Sequence, residues 1–130
     1  MTKFVVDTSA VLHVASEGIE VSSAHKLLAP TLLRSQTLSA LHEAVERGEL
    51  PADVARERLT RIRRMKIRLL GDAVLQRRAW EIADQLGAST YDAEYVALTQ
   101  LQADAFVTMD TKLARSVKGI VEIAPIDALR

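Results

Sequence analysis

The chain has 130 residues, 48% hydrophobic and 26% charged, with 17 basic and 17 acidic side chains and no cysteine. This suits a single globular domain, residues 1–130, and excludes a disordered, collagen-like or coiled-coil chain. Zero net charge speaks against a protein that coats nucleic acid by charge alone, and the missing thiol excludes disulfides, zinc–thiolate sites and cysteine nucleophiles.

Residues 3–6 (KFVV) are β-branched and aromatic and predict a short buried strand. The apolar run stops at Asp7, too short for a signal-peptide core, and no run approaches the roughly 18 residues of a membrane span. A cytoplasmic protein with no membrane partner is therefore expected. Asp7, Thr8 and Ser9 are N-cap types and open a helix over AVLHVA that Gly18 closes. Residues 22–29 (SSAHKLLA) predict a second short helix, broken by Pro30. Residues 34–47 predict a stronger one, with Leu38, Leu41 and Val45 on one face and Gly48 as its stop. Pro51 suits the first position of a further helix, whose stripe is Ala55, Leu59 and Ile62.

From Lys66 the pattern alternates through Leu69, which predicts a strand with one wet face. Leu75, Ala79, Ile82, Ala83 and Leu86 mark a helix closed by Gly87, and Trp80, beside that stripe, is assigned to packing. Residues 91–103 predict a helix, 105–108 a strand, 110–117 a short helix and 120–123 a last strand. This alternation predicts an α/β fold, a mostly parallel sheet with helices on both faces. Such sheets place their sites at the carboxyl ends of strands.

Asp7 and Asp110 fall at two such ends, although each also precedes a helix and fits an N-cap. Asp92 lies in the first turn of its helix and fits a capping box with Ser89. At ~100° per residue it shares a mostly apolar side with Tyr95, Val96, Thr99 and Ala103, whereas Glu94 turns toward solvent. An acid at the edge of a buried face is costly unless paired or bound to a metal, so Asp92 is the better site candidate. Three carboxylates without cysteine point to a hard cation, Mg²⁺ or Mn²⁺, which prefers oxygen ligands. Such ions activate water for phosphodiester cleavage.

The strings VVDTSAVL, APTLLRSQTLSALHEAVERGEL, TYDAEYVAL and VTMDTKLA, in that order and spacing, resemble a PIN domain, and more narrowly the VapC toxins of bacterial toxin–antitoxin pairs. The resemblance spans residues 3–124 and implies an α/β/α sandwich around a mostly parallel sheet. It also implies a Mg²⁺- or Mn²⁺-dependent endoribonuclease cutting tRNA or rRNA, a homodimer, and a cognate VapB-type antitoxin. The family's acidic cluster maps onto Asp7, Asp92 and Asp110, and its nearby hydroxyls onto Thr8, Ser9 and Thr108. One position departs: where the family carries glutamate in APxLLxxE, this chain has Gln36.

Glutamine keeps the shape but not the charge, so three carboxylates should hold divalent ions more weakly than four. Glu43 lies two turns on, ~10 Å along the axis, too far to replace it. Gln36 is compatible with a natural one-metal variant, with reduced nuclease activity, or with an isosteric replacement that silences a toxic enzyme.

Residues 56–68 (RERLTRIRRMKIR) hold seven basic groups and one acid, a net of +6, leaving ten basic and sixteen acidic groups, a net of −6, elsewhere. The tract is either a solvated helix face or a phosphate-steering surface in which Arg63 and Arg64 contact RNA. His13, His25 and His42 are scattered, and no glycine-rich phosphate loop is present. Two rivals to a ribonuclease are a catalytically impaired PIN domain that binds RNA or antitoxin, and a phospho-accepting receiver domain. The receiver usually has paired acids after its first strand, whereas Asp7 is followed by Thr8.

Overall fold

The structure, a computed structural model, describes residues 1–130. Its elements run β1 (Thr2–Val6), α1 (Thr8–Glu17), β2 (His25–Pro30), α2 (Leu33–Glu46), α3 (Ala52–Arg64), β3 (Arg68–Leu70), α4 (Ala73–Leu86), α5 (Thr90–Gln102), β4 (Ala105–Val107) and α6 (Thr111–Val117), then a 3₁₀ turn (Ile126–Leu129). The four strands are all parallel, in the order β3-β2-β1-β4. In β1 the consecutive residues Phe4, Val5 and Val6 are all buried. A strand buried on both faces belongs to a sheet covered on both sides, as the α/β/α expectation requires. No helix is long and apolar enough to cross a membrane.

Topology points to where a site would lie. From β1 the chain steps outward to β2 and β3, then crosses back to the other side of β1 to form β4. Right-handed crossovers place α1–α3 on one face and the returning α4 and α5 on the other. The direction of winding therefore reverses between β1 and β4. The crevice beyond the carboxyl ends of these two strands is the topological switch point, where open α/β sheets bind ligands. Asp7 follows β1 directly, and Thr108 follows β4 directly.

Several expectations are corrected. Residues 22–29 do not form a helix: 25–30 are β2, in register with β1 through Phe4↔Leu27 and Val5↔Leu28. Leu27, Leu28, Ala29 and Pro30 are buried in succession, and that two-sided burial overrides the helical propensity of the segment. The last strand shrinks to a single parallel bridge, Phe106↔Ile123, held by Phe106 N–H to Glu122 O at 2.8 Å and Ala124 N–H to Phe106 O at 3.0 Å. On α2 the buried stripe is Leu33, Thr37 and Leu41, while Leu38 is 55% exposed. Thr37 fits this stripe because its hydroxyl returns to Leu33 O at 2.9 Å. Trp80 is 67% exposed rather than packed: α4 buries Leu75, Ala79 and Ile82, and Trp80 sits beside that stripe. Strand β3 begins at Arg68, two residues later than expected, because Lys66 takes a left-handed conformation (φ 54°) as α3 turns into it.

Candidate active site

Asp7 is the N-cap of α1, and its carboxylate is almost wholly buried. Its Oδ1 accepts from Ala10 N–H at 2.9 Å and from Ser9 Oγ at 2.6 Å, and its Oδ2 accepts from Thr108 Oγ1. Met109 N–H donates to Ser9 Oγ at 2.9 Å, and Asp110 N–H to Thr108 Oγ1 at 3.0 Å. Hydroxyls from β1's end and β4's end thus meet on one carboxylate and tie the walls of the crevice together. The N-terminal dipole of α1 favours negative charge at this point. Capping by Asp7 is therefore compatible with a site role.

The same holds opposite. Asp110 caps α6 through Leu113 N–H at 3.0 Å, which occupies Oδ1 only, and the residue is exposed. Asp92 sits in the first turn of α5, whose N-cap Ser89 accepts from its N–H at 3.1 Å. The carboxyl of Asp92 is pushed above the usual carboxylate range, first by burial, then by the charges of Asp110 and Asp7. The three carboxylates thus share one electrostatic field.

The donor set fits a hard divalent cation in chemistry: anionic oxygens, mutually repelling, which such a cation would relieve. The fit is electrostatic rather than a preformed cage, since no three acidic or histidine side chains gather tightly enough to ligate an ion together. Helix α5 is buried nearly all round, so Glu94 is half-buried rather than solvent-facing, and burial alone raises its carboxyl.

Gln36 lies on α2 beside this crevice. Its Oε1 accepts from Tyr95 OH at 2.6 Å and from Thr8 Oγ1 at 2.9 Å, with the two hydroxyls 3.3 Å apart. This amide orientation follows from proton bookkeeping. With the oxygen inward both hydroxyl protons find an acceptor; with the nitrogen inward one would not. The amide nitrogen makes no hydrogen bond and remains as a free donor. Tyr95 is 2% exposed, and burial foremost raises its hydroxyl well above the usual tyrosine range, so it stays a proton donor. Spacing places Tyr95 on the buried side of its helix but does not reveal its part in the site. The available signal is a buried tyrosine three residues after an acid, whose OH must find a partner.

Arg63 and Arg64 diverge. Arg63 lines a groove of about 400 Å³ with Arg34 and Leu38. Arg64 lines a separate cavity of about 1040 Å³ with Lys26 and Arg68. The three histidines stay apart, His42 beside Glu46 at 3.8 Å, and no nucleophile triad forms.

A parallel α/β sheet with a hydroxyl-lined carboxylate crevice at its switch point is the α/β/α architecture that the PIN resemblance implies. Relatives and solved structures narrow it. The chain is 34% identical over 113 residues to a VapC ribonuclease of Mycobacterium bovis and equally to ribonuclease VapC9 of Mycobacterium tuberculosis, covering 85% of this chain and 87% of each relative. It therefore belongs to the VapC ribonuclease family. The fold matches PAE2754 from Pyrobaculum aerophilum (TM-score 0.75, 21% identity, 98% of this chain and 93% of that one). It also matches VapBC-1 from nontypeable Haemophilus influenzae (TM-score 0.64, 11% identity, 96% and 98%). No family model matches the chain. Family membership removes the receiver-domain alternative.

Proposed function

We propose that this chain is the toxin of a type II toxin–antitoxin pair, a Mg²⁺- or Mn²⁺-dependent endoribonuclease that hydrolyses phosphodiester bonds in tRNA or rRNA. The observation that carries the proposal is the Asp7 carboxylate, held by Ser9, Thr108 and Ala10 in the field it shares with Asp92 and Asp110. Asp7, Asp92 and Asp110 would hold the cation. When bound, it would supply Lewis acidity at the scissile phosphate and ease deprotonation of the attacking water. Ser9 and Thr108 fix Asp7 in place by donating their protons to it. Thr8 and Tyr95 fix Gln36, whose free amide N–H groups suit a phosphate oxygen or an ordered water rather than a cation. The functional partners are the RNA, a VapB-type antitoxin and a second copy of the chain, in the cytoplasm.

The test is cleavage of a mixed tRNA and rRNA pool under Mg²⁺ and Mn²⁺ titration, with Asp7→Asn as the control. Cleavage by the parent chain that needs the metal and vanishes in the variant supports the proposal; equal cleavage by both sinks it. One observation favours a second reading, a catalytically impaired domain that binds RNA or antitoxin: Gln36 offers the crevice donors where a fourth carboxylate would offer charge. Binding without cleavage at any metal concentration is the outcome that reading requires.

A further inference from the structure

The cavity beside Arg64 lies at the far end of the molecule from the carboxylates. Asp7 caps the start of α1, whereas Gly18, the C-cap of α1, lines this cavity. The ten residues of α1 separate the two by ~15 Å. Lys26 from β2, Arg61 and Arg64 from α3, Lys66 from the turn and Arg68 from β3 converge on it, against one acid, Glu20. The left-handed turn at Lys66, a conformation usually left to glycine or asparagine, folds β3 back beside the end of α3 and brings these cations to one wall.

Arg61 is already engaged within the fold. It donates to Ala15 O at 2.9 Å near the C-terminus of α1 and pairs with Glu57 at 2.8 Å. Lys26, Arg64, Lys66 and Arg68 are not engaged in this way. All four are exposed, and none makes an ion pair or a side-chain hydrogen bond. His25, which also lines the cavity, keeps a buried Nδ1 without a partner.

We propose that this cavity is a second anion site, a phosphate-binding anchor for RNA remote from the crevice where the strand is cut. The choice of RNA rests on the ribonuclease reading and deepens it. Arginine matches phosphate oxygens in two-pronged geometry and lysine as a point charge, and Ser22 and Ser23 add neutral hydroxyls to the same lining. The separation has a physical reason. Cations beside Asp7, Asp92 and Asp110 would pair with them and displace a metal. At ~15 Å, beyond the ~8 Å Debye length of physiological salt, the two charge sets are screened from one another while one folded RNA can touch both. The anchor therefore discriminates by reach, favouring folded RNA over short fragments.

The experiment uses fluorescence anisotropy of a labelled RNA hairpin without divalent ions, across a salt series. Arg64→Glu/Arg68→Glu is compared with Arg77→Glu/Arg115→Glu, which changes net charge equally at exposed sites outside the cavity. Expected are at least a tenfold weaker Kd for the cavity variant and a log–log salt slope shallower by about 0.7–0.9 for each phosphate no longer neutralised, with less than threefold change in the control. Arg64→Gln/Arg68→Gln should fall between. In cleavage with Mn²⁺, the variant's loss on the hairpin should exceed its loss on a dinucleotide at least tenfold, because a dinucleotide has one phosphodiester and cannot occupy both sites. Equal weakening by both charge-reversed pairs, or unchanged binding in the cavity variant, overturns the anchor. So does loss of polyglutamate binding with RNA binding intact, which assigns the cavity to an acidic peptide. Cavity-dependent RNA binding without cleavage by the parent chain would overturn the ribonuclease reading and leave the anchor standing.

Discussion

Tyr95 donates its hydroxyl proton to Gln36 Oε1 across 2.6 Å, joining the buried face of α5 to α2 above the carboxylate crevice. The bond fixes which end of the amide faces the two hydroxyls and leaves the nitrogen free. Removing the hydroxyl with Tyr95→Phe leaves the ring's packing against Phe106 in place and should cost about 1 kcal/mol. In a double-mutant cycle with Gln36→Met, urea unfolding should show that the two losses do not add. Strictly additive costs would mean that the bond contributes nothing to the folded state.

The same pair makes Gln36→Glu structurally permissible. A carboxylate oxygen accepts both hydroxyl protons as the amide oxygen does, and the second oxygen replaces the free N–H₂ with charge. Mn²⁺ affinity by calorimetry should rise about tenfold, equivalent to ~1.4 kcal/mol, and RNA cleavage should rise with it. Without metal the variant should melt lower than the parent, because a fourth acid joins the field of Asp7, Asp92 and Asp110. Unchanged affinity and cleavage would show that position 36 does not set the strength of the site.

Much of the candidate site is legible in the sequence because it is built from helix starts. Asp7 and Asp110 stand out as N-caps after apolar runs, and a cap after a parallel strand stands at the end where ligands bind. The segment of β2 is not legible: Ala24 to Ala29 carries good helix formers, and only pairing with β1 and cover from both faces make it a strand. Leu38 and Trp80 mislead for a related reason. Periodicity locates an apolar stripe to within a residue, and the packed neighbours decide which residue turns inward. The lock on Gln36 joins Thr8, Gln36 and Tyr95, partners 28 and 59 positions apart, so no local pattern contains it.

The capping role of Asp7 and its proposed site role can be separated by substitution. Asparagine is as good an N-cap and keeps an oxygen for Ala10 and Ser9, so Asp7→Asn should hold stability to within about 1 kcal/mol while abolishing metal-dependent cleavage. Asp7→Ala should cost about 2 kcal/mol or more, since it loses the cap and leaves the Ser9 and Thr108 hydroxyls unpaired near the core. Chemical denaturation and cleavage measured on both variants check this. An inactive Asp7→Ala as stable as the parent would mean that the three hydrogen bonds contribute nothing to the fold.

Asp92 gives a pH dependence of definite sign. Its carboxyl titrates above the ordinary range in the folded chain, from burial foremost and then from Asp110 and Asp7. The hydrogen bond with Ser89 acts the other way and is outweighed. Between the ordinary carboxylate pKa and the raised one, the native state holds more protons than the unfolded state. Stability must therefore fall as pH rises through that window and carry a constant cost above it. Asp92→Asn removes the cost. Without divalent ions, the variant should melt higher than the parent at pH 7, and the difference should close as pH falls below about 4. On the proposed metal role, saturating Mg²⁺ should reverse the order, because the parent's native state would bind it more tightly than the variant's. A variant that melts lower than the parent at neutral pH in chelator, or a difference independent of pH, would remove Asp92 from the shared acidic field.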